Sequence, residues 1–100
     1  MWIVNYSSTL PISLIIVSSE IILLVGGSRP LYKEVSEKVE VLFPAAQLVW
    51  LRSYLEIEKY FEDGGVAKLI FLGEEPSDYT GPSFLMDINE LSENLPIIFA

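Results

Sequence analysis

Five consecutive apolar residues, Ile21–Val25 (IILLV), run without a polar break into Gly26 and Gly27. A strand with one wet face alternates apolar and polar residues. An unbroken run this short, closed by glycines, reads instead as a strand buried on both faces, the signature of a parallel sheet sandwiched between helices. The rest of the chain must then supply parallel neighbours and the crossover helices that join them.

The residues that follow meet that demand. Ser28 can cap a helix whose first turn tolerates Pro30. Leu31, Val35, Val39 and Leu42 recur on its inner side, while Lys33/Glu37 and Glu34/Lys38 are spaced as i,i+4 pairs. Pro44 stops it. Residues 47–51 (QLVWL) read as a second strand, and Ser53 with Glu56 forms a capping box for a helix with Tyr54, Ile57, Tyr60 and Phe61 turned to the core. Gly64 occupies the position of a C-terminal glycine cap. A third strand is expected at 68–72 (KLIFL), then a helix from Ser83 with Phe84, Leu85, Ile88 and Leu91 inward, and a fourth strand at 96–99 (PIIF). Strands alternating with helices across short loops indicate right-handed βαβ units in one α/β domain spanning residues 1–100.

Residues 1–20 fit this scheme less easily and form an atypical extension, in which 2–6 reads as a strand and 10–18 as either a helix or another strand. The stretch 10–25 is almost wholly apolar, but Pro11, Glu20 and the two glycines break it below the roughly 20 apolar residues of a membrane span, and no basic residue precedes it. The expectation is therefore two buried elements in series, no membrane anchor and a cytoplasmic protein.

Composition narrows the chemistry. Six basic and fourteen acidic residues give a net charge of −8, and the bases are scattered, so no phosphate-neutralising patch for nucleic acid is present. There is neither cysteine nor histidine, which removes thiol and imidazole catalysis, disulfides and nearly all zinc or haem ligation. Carboxylates remain as the only ligands for a hard cation such as magnesium.

From residue 21 onward, three stretches carry a family resemblance: IILLVGG with LYKEVSEKVEVLF, QLVWLRSYLEIEKYFEDGG, and KLIFLGEEPSDYTG leading into FLMDINELSENLPIIFA. Their order and spacing resemble the receiver domain of two-component response regulators. The resemblance implies a flavodoxin-like three-layer sandwich with a mostly parallel sheet. In that family an acidic pair after the first strand binds magnesium, and an aspartate at the end of the third accepts phosphate. Here those positions hold Gly26, Gly27 and Gly73. With no nucleophile and no paired carboxylates the resemblance implies a receiver unable to run the receiver reaction. It also implies a fifth strand that is missing or replaced from the front, with residues 2–6 pairing beside 96–99 and residues 11–17 covering a face. A second subunit, making a homodimer, is the alternative cover.

Three sites are candidates. Glu74, Glu75 and Asp78 follow the third strand, where open α/β sheets bind ligands, and could hold magnesium; a solvated loop is the plainer reading. With Tyr79 they form the expected docking surface of a phosphorylation-independent interaction module for a protein partner in a signalling or regulatory assembly. The turn GGSRP (Gly26, Gly27, Ser28, Arg29, Pro30) runs from a strand into a helix N-terminus, where free amides and Arg29 suit a phosphate. Yet neither complete glycine-rich nucleotide motif is present. A small-ligand or nucleotide-binding regulator acting through Gly27, Ser28 and Arg29 is thus the competing reading, with a magnesium-dependent carboxylate enzyme behind it. No cofactor is expected. Trp50, Tyr54, Tyr60 and Met86 are expected in the core.

Overall fold

The computed structural model describes residues 20–100. The readings made for residues 1–19, including a strand at 2–6 and a cover at 11–17, lie outside the described residues. The order of elements is β1 (Ile21–Val25), α1 (Arg29–Leu42), β2 (Gln47–Leu51), α2 (Tyr54–Glu62), β3 (Leu69–Leu72), α3 (Phe84–Leu91) and β4 (Ile97–Phe99). The strands form one all-parallel sheet in the order β2-β1-β3-β4. This is an α/β fold with the layering of a flavodoxin-like protein. The third and fourth strands are shorter at their starts than the sequence pattern suggests, because Lys68 and Pro96 lead into them.

β1 is the central strand and obeys the expectation of burial on both faces. Ile22 and Leu24 face α1 and pack with Val35, Val39 and Phe71. Leu23 and Val25 face the other way, into a larger cluster with Leu51, Ile57, Ile70, Leu72, Phe84 and Ile88 beneath α2 and α3. The chain moves from β1 outward to β2 and then back across to β3. Right-handed crossovers therefore place α1 on one face and α2 and α3 on the other. Each fully buried aliphatic side chain here stabilises the fold by ~1.5–3 kcal/mol.

The helices start and stop as local chemistry directs. Ser28, Ser53 and Ser83 are their N-caps, with each side chain accepting from the amide three residues on. At α2 the box is displaced by one residue: Ser53 accepts from the Glu56 amide at 3.1 Å, and the Glu56 carboxylate accepts from Arg52 N–H at 2.8 Å rather than from Ser53. α2 ends in a Schellman motif, with Gly64 N–H donating to Phe61 and Gly65 N–H to Tyr60. α3 ends in the same way, Glu93 N–H to Glu90 and Asn94 N–H to Asn89, but the left-handed position is Glu93 at φ 56°. A side chain there costs about 1 kcal/mol that glycine would not. Glu93→Gly is thus expected to raise stability by about 0.5–1 kcal/mol, read as a higher urea midpoint with unchanged slope.

Several side chains sit elsewhere than the periodicity predicts. Leu42 is 64% exposed, Leu85 39% and Met86 69%. α1 outruns the sheet at its last turn, and α3 contributes only the narrow Phe84/Ile88 seam, so Leu85 and Met86 face outward. The α1 charge pairs do not close. The ion pairs among the described residues are Lys59–Asp63 at 3.7 Å and Lys68–Glu20 at 2.9 Å, because exposed lysines gain little by giving up their freedom.

Candidate functional site

In an open parallel sheet the ligand crevice lies beyond the strand C-termini where the winding reverses, here between β1 and β3. The loops that leave those two strands carry Gly26–Gly27 and Gly73–Glu74. Gly73 N–H donates to Val25 carbonyl at 2.9 Å, Gly26 N–H to Leu51 carbonyl at 2.9 Å, and Gly27 N–H to Glu74 carbonyl at 2.9 Å. The Trp50 indole N–H donates to Gly26 carbonyl at 2.8 Å. The ladder thus continues past the strands and sews the crevice shut with backbone.

Only glycine permits this approach. A Cβ on Gly26 would lie 2.1 Å from the Glu74 carbonyl oxygen, and one on Gly73 would lie 2.8 Å from Gly27 Cα. Gly26 and Gly27 also hold φ of 73° and 84°. The three positions at which the resemblance calls for carboxylates are those where the backbones touch.

The anion-binding turn is correspondingly depleted. The amides of Gly26 and Gly27 are spent on carbonyls, Pro30 has none, and Leu31 N–H points to Ser28 Oγ at 3.5 Å. Ser28 and Arg29 are exposed, and Arg29 takes part in neither of the ion pairs named above. What the turn keeps at the helix N-terminus is the exposed pair Ser28 and Arg29, with their backbone amides and the Arg29 guanidinium.

The second loop divides its acids between two tasks. Glu74 and Glu75 are exposed. Asp78 reaches across to α2, where its two carboxylate oxygens accept from Tyr54 N–H at 2.8 Å and Leu55 N–H at 3.1 Å. It fills with a side chain the place that a bound anion would take at a helix N-terminus. Among the described residues no three acidic side chains converge to hold a metal ion.

Tyr79, expected on the docking surface, is buried at 8% exposure. Its ring packs against Tyr54 at 4.9 Å and Phe84 at 5.1 Å, and its hydroxyl donates to Asp87 Oδ2 at 2.6 Å. Tyrosine after an aspartate in a polar loop looks solvated in sequence; the apolar pocket is supplied by Tyr54 of α2 and Phe84 of α3 together. Trp50 is half-buried rather than a core residue. It is stacked on Tyr32 at 4.7 Å, with the Arg52 guanidinium 5.0 Å from the ring centroid.

These contacts set a pH window. Hydrogen bonding from Tyr54 N–H, then from Leu55 N–H, holds the Asp78 carboxyl below its usual range against the opposing effect of burial. Its contribution is present above the unfolded value of about 3.9 and is lost as pH falls through the lower folded value. Burial, then the hydrogen bond to Asp87 and that group's charge, push the Tyr79 phenol up to about 12. Its contribution is complete below about pH 10, where unfolded tyrosine ionises, and declines above it. Burial raises Tyr54 and Tyr60 in the same direction. Urea midpoints measured against pH should fall at both ends, with Asp78→Asn flattening the acid limb and Tyr79→Phe the alkaline one. Unchanged limbs in both variants would remove these assignments.

What the geometry defines is a class: a four-stranded, all-parallel α/β domain whose switch-point crevice is closed by its own backbone. Comparison with protein-family models, curated proteins and solved structures finds no match to the chain. No helix among the described residues is long and apolar enough to cross a membrane.

Proposed function

We propose that the chain is a phosphorylation-independent, receiver-like interaction module that works through protein contacts in a signalling or regulatory assembly. The observation that carries this reading is the closure of the β1/β3 crevice by Gly26, Gly27 and Gly73, where a ligand or a phosphorylated side chain would otherwise sit. With Asp78 and Tyr79 turned to internal work, the surface left for a partner is Glu74 and Glu75, beside Ser28 and Arg29. An exposed acidic rim on a chain of net charge −8 suits a basic partner surface. A cytoplasmic location belongs to the same reading.

The test has two arms. Incubation with acetyl phosphate and magnesium should leave the intact mass unchanged, and an acyl phosphate mapped to Asp78 would end the reading. Charge reversal by Glu74→Lys with Glu75→Lys should abolish cross-linking of a co-purifying partner at this rim while the unfolding free energy from urea titration stays within about 0.5 kcal/mol of the parent. The competing reading, anion binding at Gly27, Ser28 and Arg29, is favoured by the exposed Arg29 at a helix N-terminus. It requires thermal stabilisation by ATP or phosphate that vanishes in Arg29→Ala, about 2.7 kcal/mol at a hundredfold excess over Kd.

A further inference from the structure

β2 is an edge strand that lacks the features by which a sheet edge avoids further pairing. Residues 47–51 (QLVWL) hold no charge and no proline, and all five pair in unbroken register with β1, so no bulge turns the edge away. Gln47 N–H donates to the Glu20 carbonyl and the Leu51 carbonyl accepts from Gly26 N–H, both on the β1 side. The strand period of two therefore directs the amide and carbonyl of Leu48 and of Trp50 outward. Among the described residues no strand pairs with them. Beside this edge runs α2. Its residues Glu56, Lys59, Tyr60 and Asp63 are spaced i, i+3, i+4 and i+7, one stripe of the helix, and with Trp50 and Leu51 they line an open cleft of about 500 Å³ that ends at the Gly64–Gly65 turn. That volume falls in the ~300–1,000 Å³ range of ligand clefts. Leu51 is buried, and the Tyr60 ring is held by its hydroxyl donating to the Val66 carbonyl, so the apolar walls are fixed. Glu56 uses Oε1 to accept from Arg52 N–H at 2.8 Å, which leaves Oε2 for a cation. Lys59 and Asp63 meet at 3.7 Å with side chains 74% and 66% exposed, a pair that yields readily to a competing cation.

We propose that this edge and cleft bind an extended segment of a partner protein that carries Lys or Arg at alternate positions, added to the sheet as a fifth strand beside β2. The backbone of the segment pairs with Leu48 and Trp50, and every second side chain falls on the α2 face. There the aliphatic stem of a lysine or arginine lies along Leu51 and the Tyr60 ring, while its charge meets Glu56 and Asp63. Charge selects this occupant over a second copy. Antiparallel β2–β2 pairing about a two-fold axis would set the two α2 helices side by side on one face of the joined sheet. Residues 54–63 hold four acids and one lysine, so like charges would meet across that seam. The surface shares no residue with the Glu74/Glu75 rim and does not depend on it.

The probe is the capped heptapeptide Lys-Val-Lys-Val-Lys-Val-Lys, added to the full chain. At saturation it should slow amide exchange at Leu48 and Trp50 by about tenfold or more, and leave Gln47, Val49 and Leu51, whose amides face β1, unchanged. The same peptide with glutamate in place of lysine should leave all five unchanged. Glu56→Gln with Asp63→Asn should weaken binding about fivefold or more. Glu74→Gln with Glu75→Gln, an equal change in charge, should leave it within about twofold, which separates a docking site from general attraction of a cation to an acidic chain. No protection by the basic peptide, equal protection by the acidic one, or equal weakening in the two pairs of variants overturns the proposal. So does slow exchange at Leu48 and Trp50 without peptide: if it deepens with protein concentration the edge belongs to a second copy, and if it does not the chain itself covers the edge.

Discussion

Gly26→Ala is expected to remove about 4 kcal/mol or more of the chain's folding stability. The new methyl carbon would sit 2.1 Å from the Glu74 carbonyl oxygen and 3.2 Å from its carbon. Neither atom is the end of a flexible side chain. Relief requires parting the β1 and β3 loops, which breaks the Gly27–Glu74 hydrogen bond and disturbs the Trp50–Gly26 one. A loss of about 4 kcal/mol or more follows from combined overpacking, a left-handed φ and broken hydrogen bonds. Domains of this size have only about 5–15 kcal/mol in total. Gly64→Ala is the control that separates sterics from φ. Its φ of 84° is left-handed like the 73° of Gly26, but it meets nothing within 4 Å, so it should cost only about 1–2 kcal/mol. Gly26→Asp and Gly73→Asp place larger side chains against the same backbone and should cost at least as much. Far-UV circular dichroism through a urea titration measures all of these. A Gly26→Ala loss no greater than that of Gly64→Ala would mean that the crevice is open.

Ile57→Ala and Ile88→Ala should each cost about 2–5 kcal/mol, whereas Leu42→Ala and Leu85→Ala should stay within about 0.5–1 kcal/mol. All four positions carry the same helical periodicity in sequence. They differ in what lies opposite. Ile57 and Ile88 are at 0% exposure in the cluster beneath α2 and α3, and truncating either leaves a cavity that β1 and β3 cannot fill. Leu42 lies on the turn of α1 that overhangs the sheet, and Leu85 lies beside the inward seam of α3. Urea midpoints for the four variants check the ranking. A Leu42→Ala loss as large as that of Ile57→Ala would put α1 in a different register against the sheet.

The elements were legible because their signals are local. IILLV required burial on both faces, three serines marked the helix starts, and Gly64 marked the end of α2. The candidate site was legible only in part. Gly26, Gly27 and Gly73 could be singled out by their positions after strands, but that they touch one another depends on β1 and β3 being neighbours. The role of Asp78 was hidden for the same reason: its partners Tyr54 and Leu55 are 24 and 23 residues away. No local pattern distinguishes a capping aspartate from a solvated one when the helix it caps lies earlier in the chain. Tyr79 was misplaced because its pocket is made by Tyr54 and Phe84 from two helices.

By itself, the order of residues determined a parallel α/β domain without thiol or imidazole chemistry, since hydrophobic period, caps and residue inventory are properties of short stretches. Tertiary structure alone decided which helix face is buried, where each loop acid is employed and that the crevice is shut. Those outcomes depend on strand order, and strand order brings together backbone segments that share no local signal.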